Sequence, residues 1–278
     1  MLVTDCHAHI YSKNTARYPL IPNPYCPPKG NGTVEHLKQE MAANGIERVV
    51  AVHATTAYGW DNRFLADAAR ANAPWMVGVC TLDADDPASP DLLRKLARDY
   101  NVRGLRSYSA GAPERLDHPG VETLWRVAEE TGVTITVRIR VNHANDLERL
   151  LQRHRELPVI LDHCMYPRGE EGLQGETIQR VLQLAEHPNL YAKLTWLVES
   201  SAQDYPFEDT HPLMRAVVAA YGAERCVWGS DFPCELWIPK ATYTQHYTLF
   251  TQALGLTEAQ KQAILITTPG KLYFNDNA

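Results

Sequence analysis

Val49-Val50-Ala51-Val52-His53 is a run of four apolar residues closed by one polar residue. The run is short and rich in β-branched side chains, which predicts a strand. Unbroken apolarity marks a parallel strand buried on both faces. His53 stands at its C-terminal end. On its N-terminal side Thr33 caps a helix over 33–44, and Gly45 stops it. On its C-terminal side, 61–72 reads as a second helix.

The same unit recurs outward in both directions. Upstream, Met1-Leu2-Val3 leads into Asp5-Cys6-His7-Ala8-His9. Downstream, strands are predicted over 75–80, 102–108, 133–140, 158–163, 190–195 and 226–231. Helices between and after them are predicted over 90–100, 118–131, 144–156, 176–186, 211–221, 242–254 and 258–266, with a short tail. Eight strand-then-helix units predict an α/β chain folded as one (β/α)8 (TIM) barrel over residues 1–278. A doubly wound open sheet is the alternative. It calls for a glycine-rich phosphate turn after the first strand, and none is present.

The totals, 45% hydrophobic and 22% charged residues, are ordinary for a soluble globular protein. The chain has 278 residues and a net charge of −6, with no basic block that would bind nucleic acid. No apolar run approaches the roughly 20 residues that span a bilayer. No basic segment followed by an apolar core opens the chain, so no signal peptide is expected. Six cysteines are scattered without a CxxC pair, which suits free thiols in the cytoplasm. Nothing in the pattern bears on oligomeric state.

In a barrel of this kind the site lies at the C-terminal ends of the strands. His7, His9, His53, Arg106, Arg138, His163, Lys193 and Asp231 all fall there. Each alone has a structural explanation, but burying so many charges without purpose is costly. In an extended strand His7 and His9 project on one face, with Asp5 one step below. Two such imidazoles can clamp a divalent ion or hold a polar substrate. The proline-rich stretch over 11–32 leaves directly from them and is expected to cover the site. Its Arg17 and Tyr18 face either a ligand or solvent. Trp60, Trp196 and Trp237 follow strand ends and either wall the pocket or pack. Cys164 neighbours His163, but adjacent strand residues face opposite ways, which disfavours a Cys–His nucleophile.

Several motifs together resemble the amidohydrolase-related branch of the amidohydrolase superfamily. They are Asp5 to His9 with the proline-rich loop, Gly104-Leu105-Arg106, Asp162-His163-Cys164 and Trp228-Gly229-Ser230-Asp231-Phe232-Pro233. Tyr18-Pro19 and the run 25–28 are most similar to pyrone-dicarboxylate and sugar-lactone hydrolases. The resemblance implies that Asp231 activates water as general base. It implies that His7, His9 and His163 handle the scissile carbonyl. Arg106 would hold a substrate carboxylate. Arg138 and Lys193 are further candidate anchors, and His53 a donor lining the site. For Lys193 a salt bridge to a neighbouring acid is the alternative. Metal-dependent members commonly carry a His or carboxylated Lys ligand at the end of the fifth strand. Here Arg138 stands there, and a guanidinium cannot ligate zinc. Arg140 follows on the same strand or in the next loop.

The expectation is therefore a hydrolase of small carboxylated lactones that requires no cofactor. Three alternatives stand beside it: a sugar-lactone isomerase; an amidohydrolase or decarboxylase with one divalent ion, zinc above all, on His7, His9 and Asp231; and a binding protein on a retired scaffold.

Overall fold

The computed structural model describes residues 2–195, 197–233 and 240–276. Its eight strands are β1 (Thr4–Ala8), β2 (Arg48–Val52), β3 (Met76–Cys80), β4 (Val102–Ser107), β5 (Thr134–Val137), β6 (Val159–Leu161), β7 (Leu190–Leu194) and β8 (Cys226–Trp228). They lie side by side in chain order, every pair parallel. Past β8, Phe232 pairs with Ala8 and brings the sheet back to β1. The (β/α)8 barrel expected from the apolar runs is the architecture observed.

Alternation along each strand divides the core in two. Val50, Val52, Val77, Val79, Ile160 and Val227 point inward and pack with Cys6 and Tyr273. Val49, Ala51, Ile135, Val137, Val159 and Leu161 point outward against the surrounding helices. Local signals set the helix ends. The Thr33 hydroxyl accepts from the His36 amide at 3.2 Å to start the helix Val34–Ala43. Gly132, in the left-handed region at φ 69°, ends the helix Pro119–Thr131.

Three expectations need correcting. The tail is a helix, Thr268–Tyr273, with Pro269 in its first turn where no backbone donor is needed. It carries Tyr273 into the inner core. The fifth strand ends at Val137, so Arg138 and Arg140 lie beyond it, although the Arg138 amide still donates to the Ser107 carbonyl at 3.0 Å. The sixth strand ends at Leu161. Four consecutive left-handed residues follow, His163 to Tyr166 at φ 46–61°, and they turn the chain sharply at the rim. Trp196 and Trp237 lie outside the described residues.

No helix among the described residues is long and apolar enough to cross a membrane. No disulfide joins the five described cysteines.

Candidate active site

The ends of β1 and β8 are bound into one corner. Asp5, fully buried, accepts from the His7 amide (3.0 Å), the Ser230 amide (2.9 Å), the Ser230 hydroxyl (2.6 Å) and the Tyr243 hydroxyl (2.9 Å). It therefore fastens the site without taking part in it. The register of β1 shifts between Asp5 and Ala8, which breaks the strict alternation that would have stacked Asp5 under the histidines. Gly229 is required where the strands touch. A Cβ there would lie 2.6 Å from the His7 Cβ and 2.7 Å from its amide nitrogen. Asp231 follows at φ 57° and donates its amide to the His7 carbonyl at 2.8 Å. Asp tolerates this left-handed conformation better than most side chains.

This corner brings three side chains together. The His7 and His9 Nε2 atoms are 3.2 Å apart. Asp231 Oδ1 lies 3.4 Å from the first and 3.6 Å from the second. Burial raises the Asp231 carboxyl to about 8, with the Glu199 charge adding to the effect. Burial and the nearby Arg106 hold His9 neutral, lowered to about 3. The three are grouped as a metal ion would need them, so they fit one divalent cation with positions left open.

A second cluster lies beneath. Asp162 and Lys193 have no solvent exposure and stand 3.1 Å apart. Arg106 donates to Asp162 Oδ2 through Nε at 2.7 Å. Burial opposes the Asp162 charge, but Arg106, His163 and Lys193 hold its carboxyl well below the usual range. Lys193 Nζ is also 3.3 Å from His7 Nδ1. His163 is held by Thr195, with Oγ1 2.6 Å from Nδ1, and by Arg106, with Nη2 3.3 Å from Nε2.

Above these groups opens a cavity of about 390 Å³, and His9, His163, Asp231, Arg106, Arg138 and Glu199 are among its walls. The Arg138 Nε donates to the Tyr166 hydroxyl at 3.1 Å, and its guanidinium lies 5.7 Å from the Tyr108 ring centre. Among the described residues no carboxylate pairs with it. The guanidinium of Arg140, an exposed residue, sits 4.1 Å from the Tyr166 ring centre.

The expected residues thus divide. Asp231, His9, His163, Arg106 and Arg138 line the cavity; His7 and Lys193 stand behind it. The alternative for Lys193, an ion pair with a neighbouring acid, is the arrangement found. His53 does not line the cavity; its Nε2 is 2.8 Å from the Gly59 carbonyl oxygen. Arg17 and Tyr18 also stand apart, both bonded to Asp67 at 2.8 Å. The proline-rich loop does reach the cavity, through Tyr25, and Trp60 joins the same wall. Cys164 points its Sγ to the Lys193 carbonyl at 3.5 Å, in the core. Asp162, Tyr108, Tyr166 and Glu199 were given no role by the sequence. The signal for Asp162 was a charge placed directly after an apolar strand. Tyr166 owes its place to the left-handed turn, which no local pattern announces.

Known proteins share this arrangement of the chain. L-fucono-1,5-lactonase of Burkholderia ambifaria is 26% identical over 201 residues, covering 72% of this chain and 69% of that protein. The 4-sulfomuconolactone hydrolase of Hydrogenophaga intermedia is 26% identical over 274 residues, 97% of this chain and 88% of that protein. The crystal structure of a candidate 2-pyrone-4,6-dicarboxylic acid hydrolase from Pseudomonas putida is 25% identical, with a TM-score of 0.83 over 100% of this chain and 99% of that one. The family model for amidohydrolases matches residues 4–274, as the motifs at the strand ends led one to expect. The chain belongs to the amidohydrolase family.

Proposed function

We propose that this protein hydrolyses a small carboxylated lactone, with Asp231 as general base and without a required metal. One observation carries the reading. A carboxylate raised to about 8, two imidazoles and a guanidinium with no carboxylate partner among the described residues line the same cavity. A base that titrates near the working pH suits removal of a proton from water. The names of the similar proteins, two of them lactone hydrolases by description, point the same way.

In this scheme Asp231 takes a proton from water as the oxygen attacks the lactone carbonyl carbon. Charge gathers on the carbonyl oxygen, and Arg106, with His9 and His163 beside it, supplies preorganised positive charge and dipoles there. The ring C–O bond then breaks. The leaving oxygen takes the proton from Asp231, and a hydroxy acid is released. Arg106 already commits Nε and Nη2 to Asp162, so the substrate carboxylate is assigned to Arg138. If a divalent ion is bound, His7, His9 and Asp231 would hold it, and it would supply Lewis-acid polarisation.

The test is a pH-stat assay over a panel of carboxylated lactones with chelator present, each sample then examined by NMR. Acid release is the expected outcome. A rearranged lactone without acid would establish an isomerase instead, and activity that appears only with added zinc would establish the metal-dependent reaction.

A further inference from the structure

A second cavity, of about 460 Å³, lies outside the barrel between the helices Arg63–Ala71 and Ser89–Asp99. Arg63, Asp67 and Arg70 face it from the first helix, Lys95 and Leu96 from the second. The proline-rich loop closes one side with Arg17 and Tyr18. Four cations thus line the cavity against two carboxylates, Asp61 and Asp67. Asp61 is taken by Arg63, whose Nε and Nη2 both donate to it, at 2.9 and 2.6 Å. Asp67 is shared: it accepts from Arg17 and from the Tyr18 hydroxyl at 2.8 Å, and from Arg70 at 3.3 Å. Lys95 is exposed and, among the described residues, has no carboxylate within ion-pair distance; Asp99 on the same helix is bound by Arg98 at 2.8 Å. Once these pairs are counted, two positive charges in the cavity remain without a counter-charge. The Arg70 guanidinium lies 4.6 Å from the Tyr100 ring centre, a contact that steadies it while leaving its edge N–H groups to donate.

We propose that this outer cavity is a second ligand site, taking a small dicarboxylate. Its cations come from separate elements: Arg17 from the loop, Arg70 from one helix and Lys95 from the other. An extended dianion reaches cations at both of its ends, which a compact anion does not. Ala66 and Leu96, both buried, supply an apolar wall for the carbon chain between the two acid groups. A cleft with an excess of one sign of charge also draws in ions of the other. The outer site stands back to back with the active cavity. Trp60, 48% exposed, lines both, and the buried Asn62 side-chain amide fixes its carbonyl at 2.9 Å. One loop serves both as well, with Tyr25 in the active cavity and Arg17 and Tyr18 in the outer one. Opening a carboxylated lactone creates a second carboxylate, so the product is such a dianion and the substrate is not. That link to the product rests on the lactonase reading; the site itself does not.

Calorimetric titration of the full chain with sodium succinate tests the site without any turnover, so this inference and the lactonase reading fail separately. Arg138→Gln is the starting protein, which takes the guanidinium of the active cavity out of the measurement. One equivalent of succinate should bind, about tenfold more tightly than sodium acetate or inorganic phosphate, the worth of one added charged hydrogen bond. Arg70→Gln combined with Lys95→Gln, both at exposed positions, should weaken succinate about tenfold or more on the same ground, with little change in melting temperature. Absence of binding would overturn the proposal, and so would succinate affinity that ignores the two substitutions. Phosphate binding as tightly as succinate would overturn the dicarboxylate assignment, and acetate doing so would leave only diffuse surface charge. Should the double variant not fold, Lys95→Glu reverses a single exposed charge and must weaken succinate for the proposal to stand.

Discussion

Arg106 holds Asp162 through two nitrogens on one carboxylate oxygen, with Nε at 2.7 Å and Nη2 at 2.5 Å from Oδ2. Lys193 takes the other oxygen at 3.1 Å. Asp162 and Lys193 are thus sealed under the cavity floor, and Arg106 reaches from them into the cavity wall. The arrangement leaves one net positive charge beneath the place where an oxyanion would form. Removing one partner leaves the others buried without full compensation, which is the expensive way to break such a cluster.

Arg106→Met should therefore cost about 3–5 kcal/mol of stability, beyond any effect on substrate. Urea unfolding measures it. Adding Asp162→Asn should recover part of the loss, because the two side chains share one interaction. Equal stability of wild type and Arg106→Met would show that the pair is not the structural tie described here.

Asp231→Asn keeps the shape of the side chain and removes the base. Turnover of a carboxylated lactone should fall by about 10²–10⁴, the usual range for a positioned acid–base group. KM should stay within a few-fold. Residual activity near wild type would take Asp231 out of the role.

Arg138→Gln removes the cation with no carboxylate partner among the described residues. KM for a carboxylated lactone should rise by about 10–100-fold, as expected for losing a charged hydrogen bond of roughly 1.5–3 kcal/mol. An uncharged lactone should be turned over as before, and the melting temperature should change little. Equal losses on both substrates would argue that Arg138 acts on the reaction and not on the carboxylate.

Gly229→Ala inserts a methyl group where His7 already stands, 2.6 Å from its Cβ. The contact forces β8 away from β1, at a cost of about 1–3 kcal/mol. Because Asp231 follows two residues later, activity should fall further than stability alone explains. Parallel measurement of melting temperature and kcat separates the two effects.

Acid should weaken the fold through two buried imidazoles outside the reacting corner. Burial lowers His53 and His246 to about 4, from an ordinary value of 6.5. Below pH 6.5 the unfolded chain takes up protons that the folded chain refuses, so stability falls until about pH 4 and then levels. Each group accounts for a loss on the order of 3 kcal/mol across that window. His246→Phe, at a buried position where Nε2 has no hydrogen-bond partner among the described residues, should flatten the decline seen by urea unfolding at stepped pH. An unchanged slope would show that His246 is not the source.

By itself the sequence determined the barrel, the strand order and the rim on which the chemistry sits. Buried parallel strands demand unbroken apolar runs, and a polar residue can enter such a run only at its end. Thr33 and Gly45 carry local signals strong enough to be read one residue at a time. Tertiary structure alone decided which polar residues face the cavity and which face one another. Lys193 and Arg106 look alike as cations at strand ends; the first is sealed against Asp162 and His7, while the second reaches the cavity. Asp162 became the centre of a charge cluster because residues 56 positions before it and 31 after it arrive at the same point. The left-handed run from His163 to Tyr166 set Tyr166 against Arg138, and nothing in those side chains requires it. Periodicity and burial are properties of neighbouring residues, whereas charge pairing depends on distances that exist only once the barrel has closed.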